Sequence, residues 1–341
     1  MLQSLLSILY SLFLLSGCSP DHPARLPDQP PVVEEGGSFA VHFIDVGQAD
    51  SALVLCNGES MLIDGGNAAD SNLVVAYLKK QNVDHLDYMI CTHAHEDHVG
   101  GLSGPLSVMP VEEIYAPKTG ASSKAYQNFL KKSEAQETEI KHPAPGDSFT
   151  LGSSSVEILG PVTEQGADVN NTSIVLKITY GDTAFLFTGD AEREEEQDLL
   201  ACQYDLSADV LKVGHHGSKN STTYPFLREV MPEYAVISVG EGNSYGHPTE
   251  DTLSRLRDAG ATVLRTDLLG DIVITSDGKT TPSVATTPPS EPPTLRPANV
   301  AVFTAITPGV HWPIANQSAS SSSVAQPLSS TTSRCKMGSI A

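Results

Sequence analysis

The chain has 341 residues, with 20 Lys and Arg against 41 Asp and Glu, for a formal net charge of −21. So acidic a balance excludes a general nucleic-acid coat protein, which needs a basic footprint for phosphates, but not an enzyme whose bound cations supply positive charge locally. Hydrophobic residues make up 40% of the chain, enough for a real core, so disorder of the whole chain is excluded too.

Taken from the start, the chain opens with an uncharged stretch from Met1 to Gly17 in which Leu12-Phe13-Leu14-Leu15 runs into Ser16-Gly17-Cys18. The apolar run is short for a permanent membrane span. Small residues before a cysteine, after such a run, resemble a bacterial lipoprotein processing site. The resemblance implies a signal peptide over 1–18, cleavage before Cys18 and a lipid on its sulfur, hence an exported protein anchored at the cell envelope. The usual Lys or Arg at the start of such a signal is absent. Residues 19–37 are rich in Pro and Glu and read as a tether. Patterned sequence fills 38–280, and 281–341 reads as a Ser/Thr/Pro-rich tail that buries too little to offset its ordering entropy. Cys56, Cys91, Cys202 and Cys335 share no close spacing, so no CxxC redox pair or zinc knuckle is present. Cys56 and Cys91 sit in apolar runs and read as buried thiols, with disulfides open in an exported protein.

Within the patterned segment, apolar runs predict strands at 40–46, 52–55 and 60–63, the last two joined by the favoured turn pair Asn57-Gly58. A short helix over 72–80 and a strand over 88–91 follow. Strands are expected near 113–115, 155–159, 173–178 and 183–187, then a helix over 192–201 and strands at 210–213 and 235–239. A helix over 249–259 and strands at 262–265 and 271–275 complete the pattern. Hairpins mixed with strand–helix alternation predict an α/β fold of two mixed sheets with helices outside.

The densest chemical signal is Thr92-His93-Ala94-His95-Glu96-Asp97-His98, placed where the chain leaves a strand. Alternate residues His93 and His95 can converge on one ion while Asp97 and His98 turn towards a second. Imidazole and carboxylate form the N/O ligand set usual for zinc, and the oxygen-rich part also accepts manganese. Further candidates stand at other predicted strand ends: Asp190 after Phe187-Thr188-Gly189, His215-His216 after Val213-Gly214, and His247 after Tyr245-Gly246. Ligands gathered at several strand ends are how α/β scaffolds commonly build active sites.

These pieces, with Phe43-Ile44-Asp45-Val46-Gly47-Gln48-Ala49-Asp50, Leu62-Ile63-Asp64-Gly65-Gly66, Asn170-Asn171-Thr172-Ser173 and Lys212-Val213-Gly214-His215-His216-Gly217-Ser218, resemble the metallo-β-lactamase superfamily. The nearest likeness is to the hydrolase domain of the ComEC-type DNA-uptake (competence) proteins, here in a stand-alone exported form. The resemblance implies an αββα sandwich of two mixed sheets flanked by helices. It implies two divalent ions, one held by His93, His95, Asp190 and His215 and the other by Asp97, His98, Asp190 and His247. It makes Asp64 an orienting residue for the metal-binding loop rather than a ligand. The superfamily's third-motif histidine has no counterpart, and Asn170-Asn171 occupies that region. Between His215 and His216 the ligand is not settled by sequence; His215 is favoured, with His216 supporting it or touching substrate. Ala49 stands where the family has Gly, a methyl added to a tight turn.

Two close divalent ions lower the pKa of water and stabilise charge building at phosphorus. The expected function is therefore phosphodiester hydrolysis, on DNA or another phosphodiester. Asp97 or Asp190 would orient the water, Lys212 or Ser218 would help stabilise the charge, and His216 would protonate the leaving group. The alternatives are a small or wall-linked phosphoester such as phosphorylcholine, and a non-catalytic metal-binding surface module. No stable protein partner is implied.

Overall fold

A computed structural model describes residues 38–287 with the exception of 165. The processing site at Cys18, the 19–37 tether, Cys335 and the tail beyond 287 lie outside the described residues. Among the described helices none is long and apolar enough to cross a membrane.

The chain fills one sheet, then the other. Strands β1 (Phe39–Phe43), β2 (Ala52–Cys56), β3 (Glu59–Ile63), β4 (Leu86–Ile90), β5 (Val111–Tyr115) and β6 (Ile140–Lys141) lie side by side in that order. Strands β7 (Ser148–Leu151), β8 (Ser154–Gly160), β9 (Val175–Tyr180), β10 (Thr183–Phe187), β11 (Val210–Lys212), β12 (Tyr234–Ile237) and β13 (Thr262–Arg265) build the second sheet. The chain then returns to the first sheet, where β14 (Asp271–Ser276) pairs with β1 and β15 (Ser283–Thr287) with β14. Both sheets are mixed: β3 to β6 run parallel, as do β10 to β13, and the rest are antiparallel.

Period-two alternation sorts side chains between two cores. Phe39, Val41 and Phe43 of β1 join Leu176, Ile178, Phe185 and Phe187 between the sheets. The Phe39 ring stacks on Tyr180 at 5.0 Å and Phe43 on Phe187 at 5.8 Å, joining the two sheets. Leu53 and Leu62 point the other way, under helices α1 (Ser71–Lys80) and α4 (Lys124–Ala135), with the short turns α2 (Glu96–Val99) and α3 (Pro105–Val108) beside them. Behind the second sheet, α5 (Arg193–Cys202), α6 (Tyr224–Val230) and α7 (Glu250–Asp258) cover Leu186, Leu211 and Ala235. A one-turn α8 (Thr266–Leu269) leads into β14. The expected αββα sandwich is what the chain forms.

Departures from the expected elements have local causes. β1 ends at Phe43 rather than near 46, and the Asp45 N–H is taken by the Asp271 side chain at 3.0 Å. β9 starts at Val175 rather than 173, because Ser173 closes a turn on Asn170 and its hydroxyl accepts the Asp190 N–H at 3.0 Å. β15 lies inside the stretch read as tail. It is an almost wholly exposed edge strand, so its only sequence signal is the β-branched content of Val and Thr. The methyl of Ala49 is accommodated, fully buried in the core under α1.

Glu195, on the first turn of α5, is buried against the end of β8 and accepts the Val162 N–H at 2.7 Å. Burial raises its carboxyl from 4.5 to about 8, only partly opposed by that N–H. The folded state therefore binds this proton more tightly than the unfolded chain. The stabilisation is full below about pH 4.5 and is lost as pH rises towards 8. Glu195→Gln should melt at the same temperature as the parent near pH 5 and several degrees higher near pH 9, in thermal denaturation followed across pH.

Candidate metal centre

Five loops leave the carboxyl ends of parallel strands on one edge of the sandwich. β3 delivers Asp64, β4 delivers Thr92 to His98, β10 delivers Asp190, β11 delivers His215 and His216, and the loop after β12 carries His247. This is where α/β sheets usually place ligands.

Asp64 fixes the histidine loop. Its carboxylate is buried and accepts the Thr92 N–H at 2.8 Å, the Thr92 hydroxyl at 2.6 Å and His98 Nδ1 at 2.8 Å. With Nδ1 engaged, His98 turns Nε2 towards Asp190 Oδ2, 3.3 Å away. The turn from β3 to this loop is sealed by glycines packed backbone to backbone. A Cβ on Gly101 would meet the Gly65 carbonyl oxygen at 1.7 Å, and one on Gly100 the Ala68 nitrogen at 2.4 Å. These glycines lock the histidine loop against the loop after β3.

His215 and His216 occupy two consecutive left-handed backbone conformations, φ 48° and 51°, which cost about 1–3 kcal/mol each in non-glycine residues. The turn is held by the His215 N–H on the Gly189 carbonyl and the Ser218 N–H on the His215 carbonyl, at 3.2 and 2.8 Å. The result is that both rings face inward. His216 Nδ1 donates to the Ser238 carbonyl at 3.0 Å, and its Nε2 stands 3.3 Å from Asp97 Oδ2 and 3.8 Å from Asp190 Oδ2. His215 Nδ1 rests on Glu192 Oε1 at 2.9 Å, with Nε2 3.8 Å from Asp190 Oδ2. An imidazole held at one nitrogen by a carbonyl or carboxylate, with the other aimed inward, is the arrangement that orients metal ligands.

Asp190 is the focus. Four ring nitrogens face its Oδ2: His98 at 3.3 Å, His215 and His216 at 3.8 Å, and His93 at 3.9 Å. Burial disfavours its charge, but His98, His216 and His93 outweigh it and hold the carboxyl well below the usual range. Burial likewise opposes protonation of His216, yet Asp190 and Asp50 raise it to about 10. His98 is driven the same way by Asp190 and Asp64. Burial, then the positive neighbour His98, pushes His93 well below its ordinary value, and burial with His215 and His216 pushes His247 to about 4.

The residues fit a divalent cation. His98 Nε2, His216 Nε2, Asp190 Oδ1 and His247 Nδ1 are buried with no hydrogen-bond partner, an unfavourable state for polar atoms that metal coordination relieves. Two groups, His93–His98–Asp190 and Asp97–His98–His216, each bring their ligand atoms within 4.8 Å of one another. They share His98, so as they stand they describe one ion. Above them opens a cleft of about 310 Å³ whose walls include Gln48, His95, Glu96, Asn170 and His247.

Residues 44–241 match the family model of the metallo-beta-lactamase superfamily. The chain belongs to that superfamily. It is 32% identical over 250 residues to ComE operon protein 3 of Bacillus subtilis, covering 68% of this chain and 32% of that protein. It is also 32% identical over 264 residues to competence protein ComA of Neisseria gonorrhoeae, covering 76% and 34% of the two. Recombination protein 2 of Haemophilus influenzae is 30% identical over 241 residues, covering 69% and 28%. The chain thus spans about a third of the length of the curated relatives it matches. Among solved structures, the metallo-beta-lactamase fold protein YhfI from Bacillus subtilis superposes with a TM-score of 0.47 at 16% identity, covering 70% of this chain and all of that one.

Within this superfamily fold, the residues picked out by sequence largely converge, with exceptions. His93, His98, Asp97, Asp190, His215 and His216 meet at the centre, and Asp64 holds the loop as expected. His216, expected in support, stands with Asp97 and His98, whereas His247 lines the cleft wall with its ring 5.6 Å from that of His215. The left-handed turn that aims His216 inward has no sequence signature. Lys212 does not face the cleft: its ammonium is buried 2.7 Å from Asp50 Oδ2 and donates to the Val213 carbonyl. Ser218 is buried too, its hydroxyl accepting the Asn220 N–H at 3.3 Å. Neither touches what the cleft would hold. Asn171 is structural, its side-chain oxygen accepting the Glu192 N–H at 2.8 Å. Sequence reasoning missed Asp50, which quoting its motif alone could not place. Its buried carboxylate joins Lys212 to His216 Nδ1, 3.3 Å away, and its N–H donates to the Asp97 carbonyl. Glu192, which steers His215, was missed as well.

We propose His216 as the stronger ligand of the pair, because its Nε2 stands in one group with Asp97 and His98. His216→Ala should weaken zinc binding by about 10-fold or more relative to His215→Ala, measured by competition with a chromophoric chelator. Equal losses would remove the distinction.

Proposed function

We propose that this chain is an exported, divalent-metal-dependent phosphodiester hydrolase whose substrate is a nucleic acid. The observation that carries the proposal is the convergence of four histidine nitrogens on the buried Asp190 Oδ2 at the floor of an open cleft. The names of its relatives, a competence protein and a recombination protein, direct the choice of substrate. Export rests on the Cys18 processing site. A second ion would draw on His95 and His215 beside the first group.

Bound divalent ions supply the positive charge that polarises a phosphoryl oxygen and lowers the pKa of water. The chain does the rest. Asp97, the most open of the central carboxylates, presents Oδ2 to the cleft and accepts the proton of an attacking water. His216 Nε2, 3.3 Å from Asp97 Oδ2, holds that carboxylate in place from behind. Glu192 keeps the His215 proton on Nδ1, leaving Nε2 turned to the centre. Asp50 and Lys212 form a closed ion pair beneath, so their charges cancel locally rather than reach the substrate.

A second reading is a small or wall-linked phosphoester, favoured because among the described residues no Lys or Arg lines the cleft. Turnover by the full chain, loaded with zinc or manganese, separates the two. Cleavage of single-stranded DNA supports the nucleic-acid reading. Cleavage of bis(p-nitrophenyl) phosphate but not DNA moves the substrate to small esters. No metal-dependent turnover of either removes phosphodiester hydrolysis.

A further inference from the structure

The mechanism above leaves unused an exposed aromatic side chain on the cleft wall, Tyr245, which is 70% accessible. It rides on the loop between β12 and α7, which is built to hold it still. Asn243 accepts the N–H groups of Tyr245 and His247, both at 3.1 Å, and its amide donates to the carbonyls of Gly240 and His247 at 3.0 and 2.6 Å. Gly242 and Gly246 take left-handed conformations on either side of this knot, at φ 64° and 72°. The base of the loop is pinned to the other half of the chain by the Gly240 N–H on Gln48 Oε1, at 3.1 Å.

One face of the Tyr245 ring lies over His247, centroids 5.8 Å apart and planes 25° from parallel. The next ring inward, His215, meets His247 edge-on at 5.6 Å and reaches Asp190 through Nε2. A planar aromatic surface is thus fixed two rings out from the centre, with one face backed and the other in solvent. The cleft around it is acidic, lined by Glu96, Asp97 and Asp190, and among the described residues no Lys or Arg lines it. A polynucleotide held here cannot draw its affinity from a basic groove. Beside the bound ions, stacking of a base on an aromatic ring is the further source of affinity this wall offers, and it works for any unpaired base because each has a π-face.

Resting on the nucleic-acid reading, we infer that Tyr245 is a specificity-determining residue, the stacking platform for the nucleobase beside the scissile phosphate. The enzyme therefore recognises an unpaired base together with the diester, rather than the diester alone. A bare phosphodiester backbone or a base held within a duplex lacks the free π-face.

The test compares a single-stranded oligothymidylate with an abasic oligomer of equal length and charge. The metal-loaded full chain is measured for kcat, KM and binding of fluorescently labelled strands. The parent should prefer the base-bearing strand by about 5- to 100-fold in kcat/KM, carried mainly by KM. Tyr245→Ala should abolish the preference, while Tyr245→Phe and Tyr245→Trp retain it, with metal content equal in all four proteins. If Tyr245→Ala lowers both strands alike, the ring merely props His247 and the inference is overturned. Absence of any base preference in an active parent overturns it too, leaving hydrolysis intact. A parent that cleaves neither strand removes the nucleic-acid reading itself, and the inference with it.

Discussion

Asp190→Ala should reduce metal-dependent turnover by about 1,000-fold or more and strip the protein of its ion. The scale follows from what single, well-placed charge-stabilising groups contribute to catalysis, about 100- to 1,000-fold each, with loss of the cation added. Asp190 is the one carboxylate that faces His93, His98, His215 and His216 together. Its loop is made for it: Gly189 is left-handed at φ 52°, and a Cβ there would meet the Ser173 side chain at 2.8 Å. The same Ser173 hydroxyl accepts the Asp190 N–H. Asp190→Asn keeps the volume and removes the charge, so it should lose nearly as much activity as alanine. Atomic emission analysis of the purified variants reports the metal, and initial rates report turnover. Full metal content in either variant would show that the ion is held elsewhere.

Asp64→Ala should cost about 3–5 kcal/mol of stability, the scale for breaking a buried charged pair, and weaken metal binding by about 10- to 100-fold. The substitution leaves the Thr92 N–H, the Thr92 hydroxyl and His98 Nδ1 without their acceptor. It also places alanine at φ 57°, a left-handed conformation that aspartate and asparagine tolerate better than other L-residues. Asp64→Asn keeps the conformation and one acceptor oxygen, so it should recover part of the stability while His98 stays poorly steered. Melting temperature should fall by on the order of 10 °C in the alanine variant, and by less in the asparagine one. A metal affinity unchanged in both would contradict the orienting role.

The parts of this site that sequence made legible are those whose chemistry is local. Four potential ligands within Thr92 to His98 need no tertiary information, and strand ends near Ile63, Ile90, Phe187 and Lys212 follow from short apolar runs that the sheets confirm. What stayed hidden depends on contacts across the fold. Asp50 and Lys212 pair from different sheets, and nothing near either in the chain announces it. The inward turn of His216 depends on two left-handed residues that an ordinary His-His pair does not advertise. Helix α4 was missed because only Ala125, Tyr126 and Phe129 mark its apolar face among lysines, although Ser123 caps it by accepting the Tyr126 N–H. Helix α6 is anchored from outside itself, with Glu196 of α5 accepting the N–H groups of Thr222 and Thr223.

The buried ion pair also supports the acidic centre from beneath. Asp50 is kept ionised, against its burial, by Lys212, His216 and His98. That arrangement turns His216 and steadies the Asp97 backbone from beneath, while Asp64 does the same for His98 from the other side. The two supports come from the Asp50 and Asp64 motifs, which makes residues 39–98 the frame on which ligands from the second sheet close.

The central claim is that these side chains hold a divalent ion at the base of the cleft. A crystal of the full chain grown with zinc, with anomalous data collected on both sides of the zinc edge, tests it most directly. The account predicts an anomalous peak within about 2.0–2.2 Å of ligand atoms from Asp190, His98 and His216, a second peak beside His95 and His215 if two ions bind, and no peak at either position in Asp190→Ala. A chain that takes up no zinc there, or binds it only at surface carboxylates, would contradict the account.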